Sequence, residues 1–112
     1  MTTRSRDQPY YSIRQIRSCI QDNKYLIDHI AIEGAKRSFG WRTSDIVVAV
    51  YALTRNHYKK SKSHFENPQI YVDHYIADKL HGEKNVYVHL HIEDDCLYIG
   101  SVKSNTPRGS NS

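Results

Sequence analysis

Cysteine is scarce in this 112-residue chain, and what it lacks excludes several classes of protein. Only Cys19 and Cys96 occur, far apart and in neither CxxC nor CxxH spacing. That argues against a zinc framework and gives no sign of a disulfide-dense scaffold, and a reducing cytoplasm is the expected compartment. Long apolar runs are also missing. The longest nearly continuous one, Ile46 to Leu53, is much too short to span a bilayer, and no apolar signal core stands near the N-terminus. A soluble intracellular protein with no membrane partner is expected. Nine tyrosines stand against two phenylalanines and one tryptophan, a bias toward rings that pack on one face and still offer a hydroxyl. No internal repeat is visible, and with 38% hydrophobic residues the chain can bury one core but not two. One stretch has no acid at all. Thr54 to Ser63 (TRNHYKKSKS) carries Arg55, His57, Lys59, Lys60 and Lys62 while the whole chain has a formal net charge of only +4. Such crowding beside aromatic-rich strand patterns points to a polyanion, nucleic acid first. The same lysines would also suit a solvated strand edge, where they discourage edge pairing.

Residues 1–11 show no hydrophobic period and are expected to form a mobile arm, residues 12–103 a single domain, and residues 104–112 (SNTPRGSNS) a disordered tail. Ser12 with Gln15 three positions on matches a capping box, and Ile13, Ile16 and Ile20 recur at helical spacing, predicting a first helix over 13–22. From Asp28, a stripe of Ile27, Ile30, Ala31, Ala35 and Phe39 predicts a second helix closed by Gly40. The apolar run Ile46 to Leu53 suits a strand or a helix by composition. The cluster Thr43, Ser44 and Asp45 before it, with Trp41 placed to staple the first turn, favours a third helix. Then the period drops to two. Val86, Val88, Leu90 and Ile92 alternate with Tyr87, His89 and His91, and Leu97 to Lys103 supplies a second strand after a turn near Asp94 and Asp95. Asn56 to Phe65 and Gln69 to Tyr75 are weaker strand candidates. The order implies an α+β domain, with about three N-terminal helices on one face of a mainly antiparallel sheet of about four strands.

Four short motifs occur in a telling order: Tyr58-Lys59-Lys60-Ser61, Tyr71-Val72-Asp73-His74-Tyr75, Val86-Tyr87-Val88-His89 and Gly100-Ser101-Val102-Lys103. Together they resemble the motility quorum-sensing regulator (MqsR) family of RelE-like messenger-RNA endonuclease toxins, in which the corresponding stretches read approximately FYKS, WQDVY, VYLK and SFK. The resemblance covers roughly Ser12 to Lys103. It implies a RelE-like fold, an mRNA substrate and a cognate antitoxin protein. It also implies catalytic roles for Lys60, Tyr87 and Lys103. The family's glutamine falls on Val72, so its hydrogen bond must be absent or come from a neighbour such as Gln69 or His74. His89 stands where a second lysine often occurs and is a further catalytic candidate, since imidazole titrates nearest neutrality. Arg55, Lys59 and Lys62 are the expected RNA-binding cations, with Tyr75 a base-holding ring if exposed.

For Tyr87 and Lys103 to act together, their side chains must share the face opposite Val86, Val88 and Leu90. A three-residue loop, Asp94 to Cys96, would pair Glu93 with Leu97 and Tyr87 with Lys103. It would place Tyr87, His89, His91, Ser101 and Lys103 on one face and Tyr98 and Val102 on the core face. His89 and His91 project the same way, but no third ligand is fixed by spacing, so no metal or cofactor is expected. His64 and His74 read as surface residues, and Tyr71, Tyr75 and Tyr98 as packing residues. No helix carries a concentrated basic face, which argues against direct DNA binding. Two functional classes remain: a ribonuclease toxin, or a weakly active or non-enzymatic regulator that binds RNA or an antitoxin on the same scaffold.

Overall fold

The computed structural model describes residues 8–64 and 66–105. Three helices, α1 (Ile13–Gln21), α2 (His29–Phe39) and α3 (Thr43–Tyr51), pack against five strands. These are β1 (Tyr25–Ile27), β2 (Tyr58–Ser63), β3 (Tyr71–Leu80), β4 (Glu83–Glu93) and β5 (Cys96–Ser104), in spatial order β1-β5-β4-β3-β2. The helix ends follow the local chemistry. At α1, Ser12 Oγ accepts from Gln15 N at 3.0 Å and Gln15 Oε1 accepts from Ser12 N at 3.0 Å, the reciprocal cap that the sequence implies. Asp28 caps α2, and Gly40 ends it in the left-handed region at φ 72°. Helix α3 starts earlier than its apolar run: Arg42 is the capping position, and Asp45 Oδ2 accepts from Arg42 N at 2.9 Å.

The sheet has one more strand than expected, and it is mixed. Tyr25–Ile27 runs parallel to β5, pairing Tyr25 with Leu97 and Ile27 with Ile99. Three residues are too few to show a strand period. Where β1 ends, α2 takes over the edge of β5. Asp28 N donates to Ile99 O at 2.9 Å and Ser104 N to Ser38 Oγ at 3.0 Å. A Cβ on Gly34 would lie 2.6 Å from Val102 O, so only glycine permits this approach.

One core joins Ile16, Ala31, Ala35, Ile46, Ala49, Val50 and Leu53 to the inward side chains Tyr75, Ala77, Val86, Val88, Leu90, Leu97, Ile99 and Val102. Ile30, expected in the α2 stripe, is 58% exposed and faces away. The described end of the arm expected over 1–11 is held against the sheet. Residues 1–7 and 106–112 of the expected arm and tail, and Phe65 at the end of a strand candidate, lie outside the described residues. Tyr10 N and Tyr11 N both donate to the buried Asp73 carboxylate (3.0 and 2.9 Å), and Tyr11 Oη donates to Tyr71 O at 2.7 Å. Those bonds tie the segment to β3. Cys19 and Cys96 are free thiols. Among the described residues, no helix is long and apolar enough to cross a membrane.

Candidate active site

The sheet face opposite the core collects the polar side chains of β2 to β5. In the β4–β5 hairpin Glu93 pairs with Cys96, so the turn is the two residues Asp94 and Asp95, both at positive φ (53° and 62°). This differs from the expected three-residue loop. Tyr98 consequently pairs with His91, on the open face, and not with the core. A bulge then shifts the register between Leu90↔Ile99 and His89↔Ser101, leaving Gly100 as the extra residue, and restores Tyr87↔Lys103. The bulge also makes room. A Cβ on Gly100 would fall 2.4 Å from His89 Nε2, so the imidazole lies directly over the glycine.

Two adjacent rows of cross-strand neighbours form the centre. One runs Lys60, His74, His89, Ser101, and the next runs Ile76, Tyr87, Lys103. The Tyr87 hydroxyl lies 2.6 Å from His74 Nδ1 and 3.2 Å from His89 Nδ1, and Lys103 Nζ sits 5.5 Å from the Tyr87 ring centroid. A phenol has one proton for these two contacts. Assigned to the shorter one, it is donated to His74, and His89 Nδ1–H donates back to the phenol oxygen, which leaves His89 Nε2 as a free acceptor. Burial holds both imidazoles neutral. The His74 pKa is pushed down to about 4 by burial first and then by the charges of His89, Lys60 and Lys62. That of His89 is lowered by burial and by His91, His64 and Lys103. Burial raises the Tyr87 phenol, so it stays protonated.

Lys60, Tyr87, His89 and Lys103 thus converge on one face. His74, read from sequence as a surface residue, sits half-buried at the centre of the cluster. Its signal was present as the position two beyond Val72, which β parity puts on the same face. Val72 itself is only 7% exposed. Lys62, opposite Val72, shares the face, whereas Lys59 is the unpaired residue at the β2 bulge between Tyr58 and Lys60. Arg55 lies in the short 3-10 turn Arg55–His57 before β2. Tyr75 cannot hold an RNA base. It is fully buried on the core face, paired with Val88, and among the described residues its hydroxyl has no hydrogen-bond partner. Gln69 is exposed in the β2–β3 loop, apart from the cluster. Beyond it, His91 and Tyr98 stack at 4.9 Å and 7°, with His64 edge-on to His91 at 5.7 Å. No three His, Cys, Asp or Glu side chains among the described residues converge as a metal-ligand group.

Fold and face together define a small α+β domain that gathers two neutral imidazoles and the Lys103 ammonium around one phenol on an open sheet, with Lys60 on the same face across from His74. The comparisons place that domain. The family model described as "Motility quorum-sensing regulator, toxin of MqsA" matches residues 8–104, nearly the whole chain. The chain belongs to this MqsR toxin family, and so is a toxin of a toxin–antitoxin system with an antitoxin partner. No curated protein matches the chain.

Proposed function

We propose that the toxin is a cytoplasmic, metal-independent endoribonuclease that cuts messenger RNA by attack of a ribose 2′-hydroxyl on the adjacent phosphate. The observation that carries this reading is the Tyr87 hydroxyl held between His74 and His89 with Lys103 over its ring. Such cleavage needs a base for the 2′-oxygen, an acid for the leaving 5′-oxygen and positive charge on the phosphorane.

In this scheme His89 Nε2 takes the 2′-hydroxyl proton as the 2′-oxygen bonds to phosphorus. The P–O5′ bond breaks, and the Tyr87 hydroxyl turns from His74 to protonate the departing 5′-oxygen. His89 Nδ1–H then returns a proton to Tyr87. The products are a 2′,3′-cyclic phosphate and a 5′-hydroxyl, with no net proton gained or lost; His89 is left as its Nε2–H tautomer, and proton exchange with water restores the Nδ1–H form for the next turnover. Lys60 and Lys103 neutralise the non-bridging oxygens, and Arg55, Lys59 and Lys62 hold the flanking backbone as exposed cations. His74, which accepts from Tyr87, serves as the positioning partner on the β3 side where the family's glutamine is replaced by Val72.

The alternative, a regulator that binds RNA or its antitoxin without cutting, draws on that replacement alone. The second imidazole on Tyr87 weighs against it. The two readings separate in one experiment. Expressed without antitoxin, the wild type arrests growth, and Tyr87→Phe, which keeps the ring under Lys103, loses the arrest and about 100-fold or more in cleavage rate. Arrest and cleavage by Tyr87→Phe at wild-type level would refute the mechanism, and RNA bound but left intact by the wild type would favour the regulator.

A further inference from the structure

Next to the Tyr87 cluster, on the same side of the sheet, lies a cleft of about 600 Å³. Leu26, Asp28 and Ile30 line it together with His89, His91 and Tyr98. His89 belongs to both the cleft and the cluster. In the cleavage scheme above, a base in the cleft would belong to the nucleotide whose 2′-hydroxyl meets His89 Nε2.

The lining suits a flat ring. His91 and Tyr98 form a doubled, near-parallel platform, and the aliphatic side chains beside it, Leu26 (the cross-strand partner of Tyr98) and Ile30, are left 57% and 58% exposed. Such a lining offers an aromatic surface for stacking with apolar contact beside it. Asp28 is the one acidic residue of this lining, on a face whose other carboxylate beside the cleft, Glu93, is already engaged at 3.4 Å by His91 Nε2. It works against phosphate there, but it can accept from an amino group. Its Oδ1 is engaged by Ile30 N at 2.8 Å and approached by His29 Nδ1 at 3.4 Å, so Oδ2 is the oxygen that a ligand can engage. A carboxylate oxygen accepts from the exocyclic amines of guanine, adenine and cytosine, whereas uracil has no amine and offers only its N3–H, flanked by two carbonyls that repel the carboxylate.

We infer that the cleft is a base-binding subsite for the nucleotide on the 5′ side of the cut, stacking its base on His91 and Tyr98 and selecting an amino-bearing base through Asp28. This rests on the RNA-cleaving reading of the neighbouring cluster, and the test keeps the two apart.

Isotope-labelled protein is titrated with guanosine, adenosine, cytidine and uridine 3′-monophosphates while the ring signals of His91 and Tyr98 are followed. The first three bind at least about tenfold more tightly than the uridine compound, the worth of one charge-assisted hydrogen bond. Asp28→Asn keeps the helix cap, since asparagine caps as well as aspartate, and abolishes that discrimination. Tyr98→Ala weakens all four nucleotides alike. Equal affinity for the four in the wild type, shifts confined to Lys60 and Lys103, or unchanged discrimination in Asp28→Asn would overturn the subsite. Discrimination by a protein that leaves RNA uncut would sink the nuclease reading alone, and RNA cut with no base preference would sink the subsite alone.

Discussion

Replacing Gly100 by alanine tests the geometry of the cluster without assuming its chemistry. The added Cβ would lie 2.4 Å from His89 Nε2 and 2.7 Å from Cδ2, against an ordinary contact of about 3.4 Å or more, so the ring must retreat by about 1 Å. On the ring's other edge Nδ1 is only 3.2 Å from the Tyr87 hydroxyl, so a displacement of that size cannot be made while that hydrogen bond keeps its geometry. Losing the bond and repacking the ring cost about 1–3 kcal/mol. The backbone at Gly100 is not at positive φ, so with the ring gone the methyl is tolerated. In a His89→Ala background the same change becomes neutral or stabilising by about 0.5 kcal/mol through the unfolded chain. Urea denaturation of the four proteins of this cycle reads the difference as a coupling of about 1–3 kcal/mol. An equal effect of Gly100→Ala in both backgrounds would refute the placement of the imidazole over the glycine.

Acid sensitivity follows from the buried imidazoles. A His74 pKa of about 4 in the folded protein, against 6.5 for the free side chain, means that the unfolded chain binds the extra proton first. Its contribution to stability is full above about pH 6.5, falls between there and about pH 4, and is constant below. Discounted for partial exposure, that is about 1–2 kcal/mol, and His74→Gln removes it from the slope of stability between pH 7 and pH 4. Cleavage should keep its acid limb below pH 6.5, set by His89 as base, and His89→Ala should lose that limb in a pH–rate profile. Gly34→Ala should lower the melting temperature despite the better helix propensity of alanine, because its Cβ meets a backbone carbonyl that cannot yield. A rise in melting temperature would contradict the seating of α2 on β5.

Much of the fold was legible where local chemistry decides it. Ser12 with Gln15, Asp28 and Gly40 mark helix ends whose bonds are local, and the alternation of Val86, Val88 and Leu90 assigns one face of β4 to the core. What was hidden depends on partners distant in sequence. Tyr25–Ile27 is a strand only because β5 lies beside it, and Tyr75 reads as an available ring until the helices cover it. The β4–β5 register is instructive. The shorter turn alone would have moved Lys103 away from Tyr87, and the bulge at Gly100 cancels the shift, so the expected pairing holds by a different route. Tyr98, which lies before the bulge, takes the parity of the shorter turn and turns to the open face. His74 was legible only as one possible stand-in for the family's glutamine and otherwise as a surface residue, because a histidine inside an aromatic strand does not show which partners lie across from it. Only the β3–β4 register, which sets it opposite His89 and next to Tyr87, gives it a role.

The central claim is that this face cuts RNA by itself. The most direct measurement is purified toxin incubated with a defined messenger RNA in excess EDTA, with the product ends mapped. The account predicts discrete internal cuts that leave 2′,3′-cyclic phosphate and 5′-hydroxyl ends at undiminished rate. Intact RNA, or cuts that appear only when a divalent metal is restored, would contradict it.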